Sequence, residues 1–205
     1  MLYELTVKEF ILTTASKAPV PGGGSVSALC GSLSAALAKM VAELTVGKKN
    51  YEAVNDKMQE VIEKMPACQI ELMEAIQEDS NSFDTVMAAF KLPKDTEEQK
   101  AIRRDAIVNA TKSAAEIPLK TAQKVAETFD TLAFVAQNGN KNAMSDIAVA
   151  TMLARTAIFG ALYNVKINLL GLPDDDYKIK TQKEVERLHD LAQNKESEIL
   201  SKIIL

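Results

Sequence analysis

The chain has 205 residues, 47% of them hydrophobic and only 5% aromatic, with no tryptophan and a formal net charge of −4 at pH 7. A chain of this length can bury a substantial core without a disulfide or metal staple, and a composition rich in Ala, Leu, Met, Lys and Glu favours helix over sheet. The acidic balance, with no Lys/Arg cluster interleaved with aromatics, argues against nucleic acid as a partner; one histidine, no HExxH and no paired CxxC argue against a histidine triad or a zinc site.

Residues 1–16 open with a short predicted helix, Thr6 capping the run from Val7 to Leu12. Pro19-Val-Pro21 then stiffens the backbone, Gly22, Gly23 and Gly24 free it, and the Ser25 hydroxyl offers an N-cap for a long helix. From Val26 to Ala38 no side chain is charged; Val26, Leu29, Leu33, Leu37, Met40, Val41 and Leu44 recur at helical spacing, and the positions between them are small. A helix that is apolar or small all round belongs at the centre of a bundle. Its N-terminal amides and dipole suit a carboxylate or phosphate, which makes the glycine turn a candidate ligand cradle, although three glycines also serve a tight turn in a crowded core. The P-loop pattern GxxxxGK[ST] is absent. At the other end of this helix, Gly47-Lys48-Lys49 puts two cations where they complement the dipole or hold an anionic ligand.

A second long helix is predicted over about residues 52–90, kinked at Pro66. Its apolar stripe calls for a hydrophobic residue at 79 or 80, and the chain supplies Asp79-Ser80. A core-facing carboxylate is costly unless it is paired, hydrogen-bonded or at a cleft, so Asp79 has either a structural partner, such as an arginine, or a role in a site. Thr96 and Gln99 form a capping-box pattern for the next helix, which Pro118 is expected to break or bend before a continuation through Phe134. After the turn at Asn138–Asn142, Ser145-Asp146 opens another low-charge helix in which only Arg155 is charged between Ile147 and Val165. It should be the core neighbour of the first. Asp146 is first of all a cap or dipole partner there, and Asn164 and Asn168 add amides at the far end. The last helix, about residues 178–203, is densely charged and reads as a surface or dimer-rim helix. The expected fold is therefore all-α: a multi-helix bundle of long, partly kinked helices around two low-charge central helices, one domain over residues 1–205. Cys30 and Cys68 read as reduced core thiols with no signal peptide upstream, so the cytoplasm is the expected compartment. The uncharged runs look too short or interrupted for a membrane span.

Several short motifs fall in one order over the chain as far as about Asp175: Pro19-Val-Pro-Gly-Gly-Gly-Ser25, Gly47-Lys48-Lys49-x-Tyr51, Asp79-Ser-x-x-Phe83, Leu92-Pro93-Lys94, Pro118-Leu119, Gly139-Asn-x-Asn142-x-x-Ser145-Asp146 and Asn164-Val165-x-x-Asn168-Leu169. The ordered set resembles the C-terminal family of formiminotransferase-cyclodeaminase, which also contains stand-alone methenyltetrahydrofolate cyclohydrolases. The resemblance implies an all-helical homodimer with a folate cleft lined by the glycine turn, and no metal or cofactor beyond the tetrahydrofolate substrate. Because 205 residues leave no room for the upstream formiminotransferase domain, it implies a single activity: hydrolysis of 5,10-methenyltetrahydrofolate to the 10-formyl product. The alternatives are formimidoyltetrahydrofolate cyclodeaminase, releasing ammonia, and a non-catalytic folate-binding protein. Either chemistry passes through a tetrahedral carbon beside nitrogens that gain or lose protons, work suited to two carboxylates. Asp79 is the expected base or proton shuttle and Asp146 the expected orienting group. Pro21, Gly22, Gly23, Gly24, Ser25, Lys48, Lys49, Asn142, Ser145 and Arg155 are the expected substrate-binding residues, with the cations and turn amides facing the glutamyl tail.

Overall fold

The computed structural model describes residues 1–204, which form helices and turns and, among the described residues, no strand. Seven α-helices follow in order: α1 (Val7–Thr14), α2 (Gly23–Glu43), α3 (Asn55–Phe90), α4 (Glu97–Ala126), α5 (Phe129–Asn138), α6 (Met144–Leu170) and α7 (Asp176–Leu200). The predicted all-α bundle around two low-charge helices is what the chain adopts.

Local chemistry explains most of the boundaries. Thr6 and Thr96 each accept the amide three residues on, and Glu9 and Gln99 reach back to the cap amides, completing two capping boxes. Two expected boundaries fall elsewhere. Ser25 is not the N-cap of α2: the helix begins at Gly23, and Ser25 is buried in its first turn, where its hydroxyl serves another partner. Pro118 does not end α4, which continues to Ala126; the break comes at Glu127-Thr128, where the Thr128 hydroxyl turns back on Val125 O at 2.7 Å. Pro66 likewise lies inside an uninterrupted α3.

The core is built on close approach. α2 and α6 run antiparallel, with Ser34 Oγ donating to Ala150 O at 2.7 Å near one end and Gly23 facing Asn164 at the other. The buried side of α2 is its small side: Ala28, Gly31, Ser34, Ala35 and Ala38. A Cβ on Gly31 would stand 2.6 Å from Val125 Cγ2, so glycine is what lets α4 lie this near. α3 flanks α2, α4 spans α3 and α6, and α7 covers α6 with Val185, Leu188, Ala192 and Ile199. The charged last helix thus has a largely apolar inner side, with Thr181 the one polar residue buried on it, and it is moored to α4 where Lys112 pairs with Asp175 at 2.6 Å.

Part of the large apolar set of the central pair faces outward, contrary to a helix buried all round. Leu33 on α2 is 46% exposed, and on α6 Val149, Met152, Tyr163, Ile167 and Leu170 form one exposed stripe, Tyr163 at 69% and Ile167 at 63%. Each stripe lies about a quarter-turn from the α2–α6 contact, and in this antiparallel pair both fall on the side away from α4. Together they make one long, nearly uncharged face. Composition is misleading about membranes here: Gly23–Glu43 and Lys141–Leu170 are long and apolar enough to cross one, with mean hydropathy of 1.4 and 1.3. The helices reach spanning length, although the uncharged runs within them are short or interrupted. Their apolarity is explained by packing in the bundle and by the outward face.

Candidate functional site

The glycine turn and the aspartate of α3 meet. Asp79 projects from α3 against the first turn of α2, where Ser25 Oγ lies 2.9 Å from Asp79 Oδ2 and 3.1 Å from Ile76 O. No arginine pairs with Asp79; the hydroxyl is its partner. Gly24 makes the approach possible, since a Cβ there would fall 2.0 Å from Asp79 Oδ1. Burial pushes the Asp79 carboxyl above its ordinary range, while the Ser25 hydroxyl and amide pull it back down. The result is a half-buried carboxylate beside the positive end of a helix, with its proton affinity raised.

This corner opens into a cavity of about 370 Å³. Gly22, Gly23 and Gly24 form one wall, Asp79 with Ser82, Phe83 and Val86 of α3 another, and Asn164, Ile167 and Asn168 of α6 close it from the far side. Pro21 and Ser25 are buried behind the wall. Two further grooves, between α3 and α4 and between α4 and α7, are of similar volume but carry none of the expected site residues. Some of their charged groups pair with one another, Lys124 with Glu71 at 2.7 Å and Arg187 with Glu184, whose carboxyl is pulled down to about 2 chiefly by that arginine.

The other expected residues gather at the opposite end of the bundle. Lys48 and Lys49 sit exposed in the turn after α2, Asn142 is exposed just before α6, and in its first turn Ser145 is exposed and Asp146 half-buried. The two segments are tied by buried Asn140, which donates to Thr45 Oγ1 at 2.9 Å and to Leu44 O at 2.8 Å, and by Tyr51, whose hydroxyl accepts from Lys141 N at 3.0 Å. With a rise of about 1.5 Å per residue, α6 separates Asp146 from Asn164 by about 27 Å. One protomer therefore does not bring both aspartates to one hollow. Arg155, midway along α6, belongs to neither end: its guanidinium stacks 4.4 Å over Phe159 and its Nε lies 3.4 Å from Glu196 of α7. It neither lines the cavity nor neutralises Asp79. His189 stacks on the other partner of that cluster, Phe159, at 4.4 Å.

Sequence comparison decides what this arrangement belongs to, since residues 6–187 match the formiminotransferase-cyclodeaminase family over most of the chain. The chain is a member of that family. It is 39% identical over 183 residues to the methenyltetrahydrofolate cyclohydrolase of Methylorubrum extorquens, covering 89% of this chain and 88% of that protein. It is 32% identical to the formimidoyltransferase-cyclodeaminase of Rattus norvegicus over 98% of this chain, but spans only 37% of the rat protein. In structure it resembles the formiminotetrahydrofolate cyclodeaminase of Thermotoga maritima, with a TM-score of 0.88, 29% identity and coverage of 99% and 98% of the two chains.

In this member of the cyclodeaminase family the cavity also contains residues outside the set expected from sequence, chiefly Asn164 and Asn168. Their signal was present: two amides at i and i+4 on a helix whose other residues are almost all apolar. Among the described residues no group of His, Cys, Asp or Glu is arranged to hold a metal ion.

Proposed function

We propose that this protein is a methenyltetrahydrofolate cyclohydrolase, a homodimer whose two cleft sites each combine groups from both subunits. The observation that carries the chemistry is the Asp79 carboxylate, half-buried, with raised proton affinity, and set in a cavity wall against the α2 N-terminus. The Methylorubrum extorquens relative, matched over 88% of its own length, bears the cyclohydrolase name, while the Thermotoga maritima structure, matched over 98% of its chain, bears the cyclodeaminase name of the alternative. In the reaction, water adds to the cationic methenyl carbon and gives its proton to Asp79, the carboxylate having first favoured the cation. As the C–N5 bond breaks, the hydroxyl on the tetrahedral carbon loses its proton to water and becomes the formyl carbonyl on N10, while N5 takes the proton that Asp79 had accepted, so that one proton is released overall.

The subunit arrangement follows from the outward apolar face. Ile167 belongs both to the cavity wall and to that face, so the cavity opens at its rim. Ser145 lies on the same α6 stripe at the opposite end. A two-fold axis across the helices places each protomer's cavity against the partner's far end. Asp146 would then orient the substrate from across the interface, with Asn142 and Ser145 beside it and Lys48 and Lys49 placed for the anionic glutamyl tail. Residues 1–205 would act as one helical domain with one activity, and the free thiols Cys30 and Cys68 fit the cytoplasm.

Purified protein should bleach the methenyl absorbance of 5,10-methenyltetrahydrofolate. Ammonia release from the formimino substrate would instead assign the cyclodeaminase reaction, and folate binding without turnover of either would leave only a binding protein.

A further inference from the structure

Pro118 interrupts the hydrogen-bond ladder of α4 without ending the helix. Its missing N–H leaves the carbonyl of Ala114, four residues back, without a helical donor. Asn168 of α6 supplies one, from Nδ2 to Ala114 O at 3.2 Å. The same nitrogen reaches Asn164 O at 2.9 Å, so both amide hydrogens of Asn168 are committed to carbonyl oxygens. A carbonyl only accepts, which fixes the amide with its nitrogen toward Ala114. What remains is Oδ1. It receives no hydrogen bond from the described residues, yet it is not sealed: Arg155 Nε is the one buried, unpartnered side-chain polar atom among them. Oδ1 therefore keeps some exposure, and Asn168 is one of the residues that line the cavity together with Gly22, Gly23 and Asp79.

We infer that Asn168 is a specificity-determining residue of this cavity, its locked side-chain carbonyl accepting an N–H of the ligand. The inference rests on the folate reading, in which that donor belongs to the reduced pterin ring. An amide already held by two carbonyls loses little freedom on binding, and a fixed acceptor disfavours a ligand that offers a second acceptor at the same point.

A purely structural Asn168, needed only to satisfy Ala114 O, makes a different forecast, and Pro118 separates the two. Pro118→Ala gives Ala114 O a backbone donor of its own. The test compares steady-state kinetics and melting of P118A with those of P118A/N168A, beside wild type and N168A. The expected result is that N168A melts lower, that P118A/N168A melts near P118A, and that its KM for the methenyl substrate stays roughly five- to tenfold above that of P118A, the loss of one neutral hydrogen bond, with kcat nearly unchanged. A KM equal to that of P118A overturns the inference, as does a double variant that fails to fold where P118A folds. A wild-type protein that neither turns over nor binds a folate overturns the folate reading itself and the donor assigned here.

Discussion

Asp79 is held at some expense to the fold. Burial raises its affinity for a proton above that of a free aspartate. A carboxyl whose folded pKa exceeds its unfolded value stabilises the fold fully below the unfolded pKa, and that contribution is lost as pH rises through the folded pKa. Asp79→Asn should therefore melt at or above wild type at pH 7, and the advantage should vanish when melting is followed down to acid pH, while turnover falls. A substitution that costs both activity and stability at neutral pH would make Asp79 a structural group. Ser25 tunes the same carboxyl in the other direction, since its hydroxyl lowers the proton affinity that burial raises. Ser25→Ala should accordingly move the acidic limb of the kcat/KM pH profile to higher pH, because a base must be ionised to act. An unmoved limb would mean that Asp79 does not govern it.

The glycines of α2 divide the work of that helix. Gly24 admits the Asp79 carboxylate, and Gly31 admits α4. Gly24→Ala should lower turnover at least tenfold, roughly, by displacing the carboxylate from its position, an effect visible in single-turnover assays of folded protein. Gly31→Ala should act on stability, costing about 1–3 kcal/mol in denaturant melts by overpacking against Val125 and Leu72. Much of this element was legible in the sequence: its low charge, its glycine-led start, its small residues and the misfit of Asp79 in an apolar stripe. The side on which α2 is buried was not, because leucine at helical spacing reads as core whether the leucines face the protomer's interior or a surface. The course of α4 through Pro118 was hidden for a related reason. The carbonyl orphaned by Pro118 finds its donor in Asn168 of α6, a partner that no local pattern in the sequence reveals. Asn164 and Asn168 were visible as out-of-place amides, but only the α4–α6 packing shows which atom of Asn168 is left for a ligand.

At the scale of the molecule, the two expected carboxylates stand at opposite ends of the bundle, Asp146 lying about 27 Å along α6 from Asn164, which lines the cavity beside Asp79. The sequence orders the motifs but carries no record of which subunit each one serves. The face that joins the ends exposes the apolar side chains Leu33, Val149, Met152, Tyr163, Ile167 and Leu170, and contiguous exposed apolar residues of this kind mark interaction surfaces. Leu33→Glu near its middle should yield monomers in analytical ultracentrifugation and abolish turnover together, whereas an active monomer would detach the site from the interface. The most direct measurement is complementation between the single variants Asp79→Asn and Asp146→Asn, each first shown to be impaired alone, then co-expressed in equal amounts and assayed as mixed dimers. With sites shared across the interface, half of the dimers are hybrids, and each hybrid has one doubly altered and one intact site, so activity should recover to about a quarter of wild type. Mixed dimers no more active than the two single variants would contradict the account.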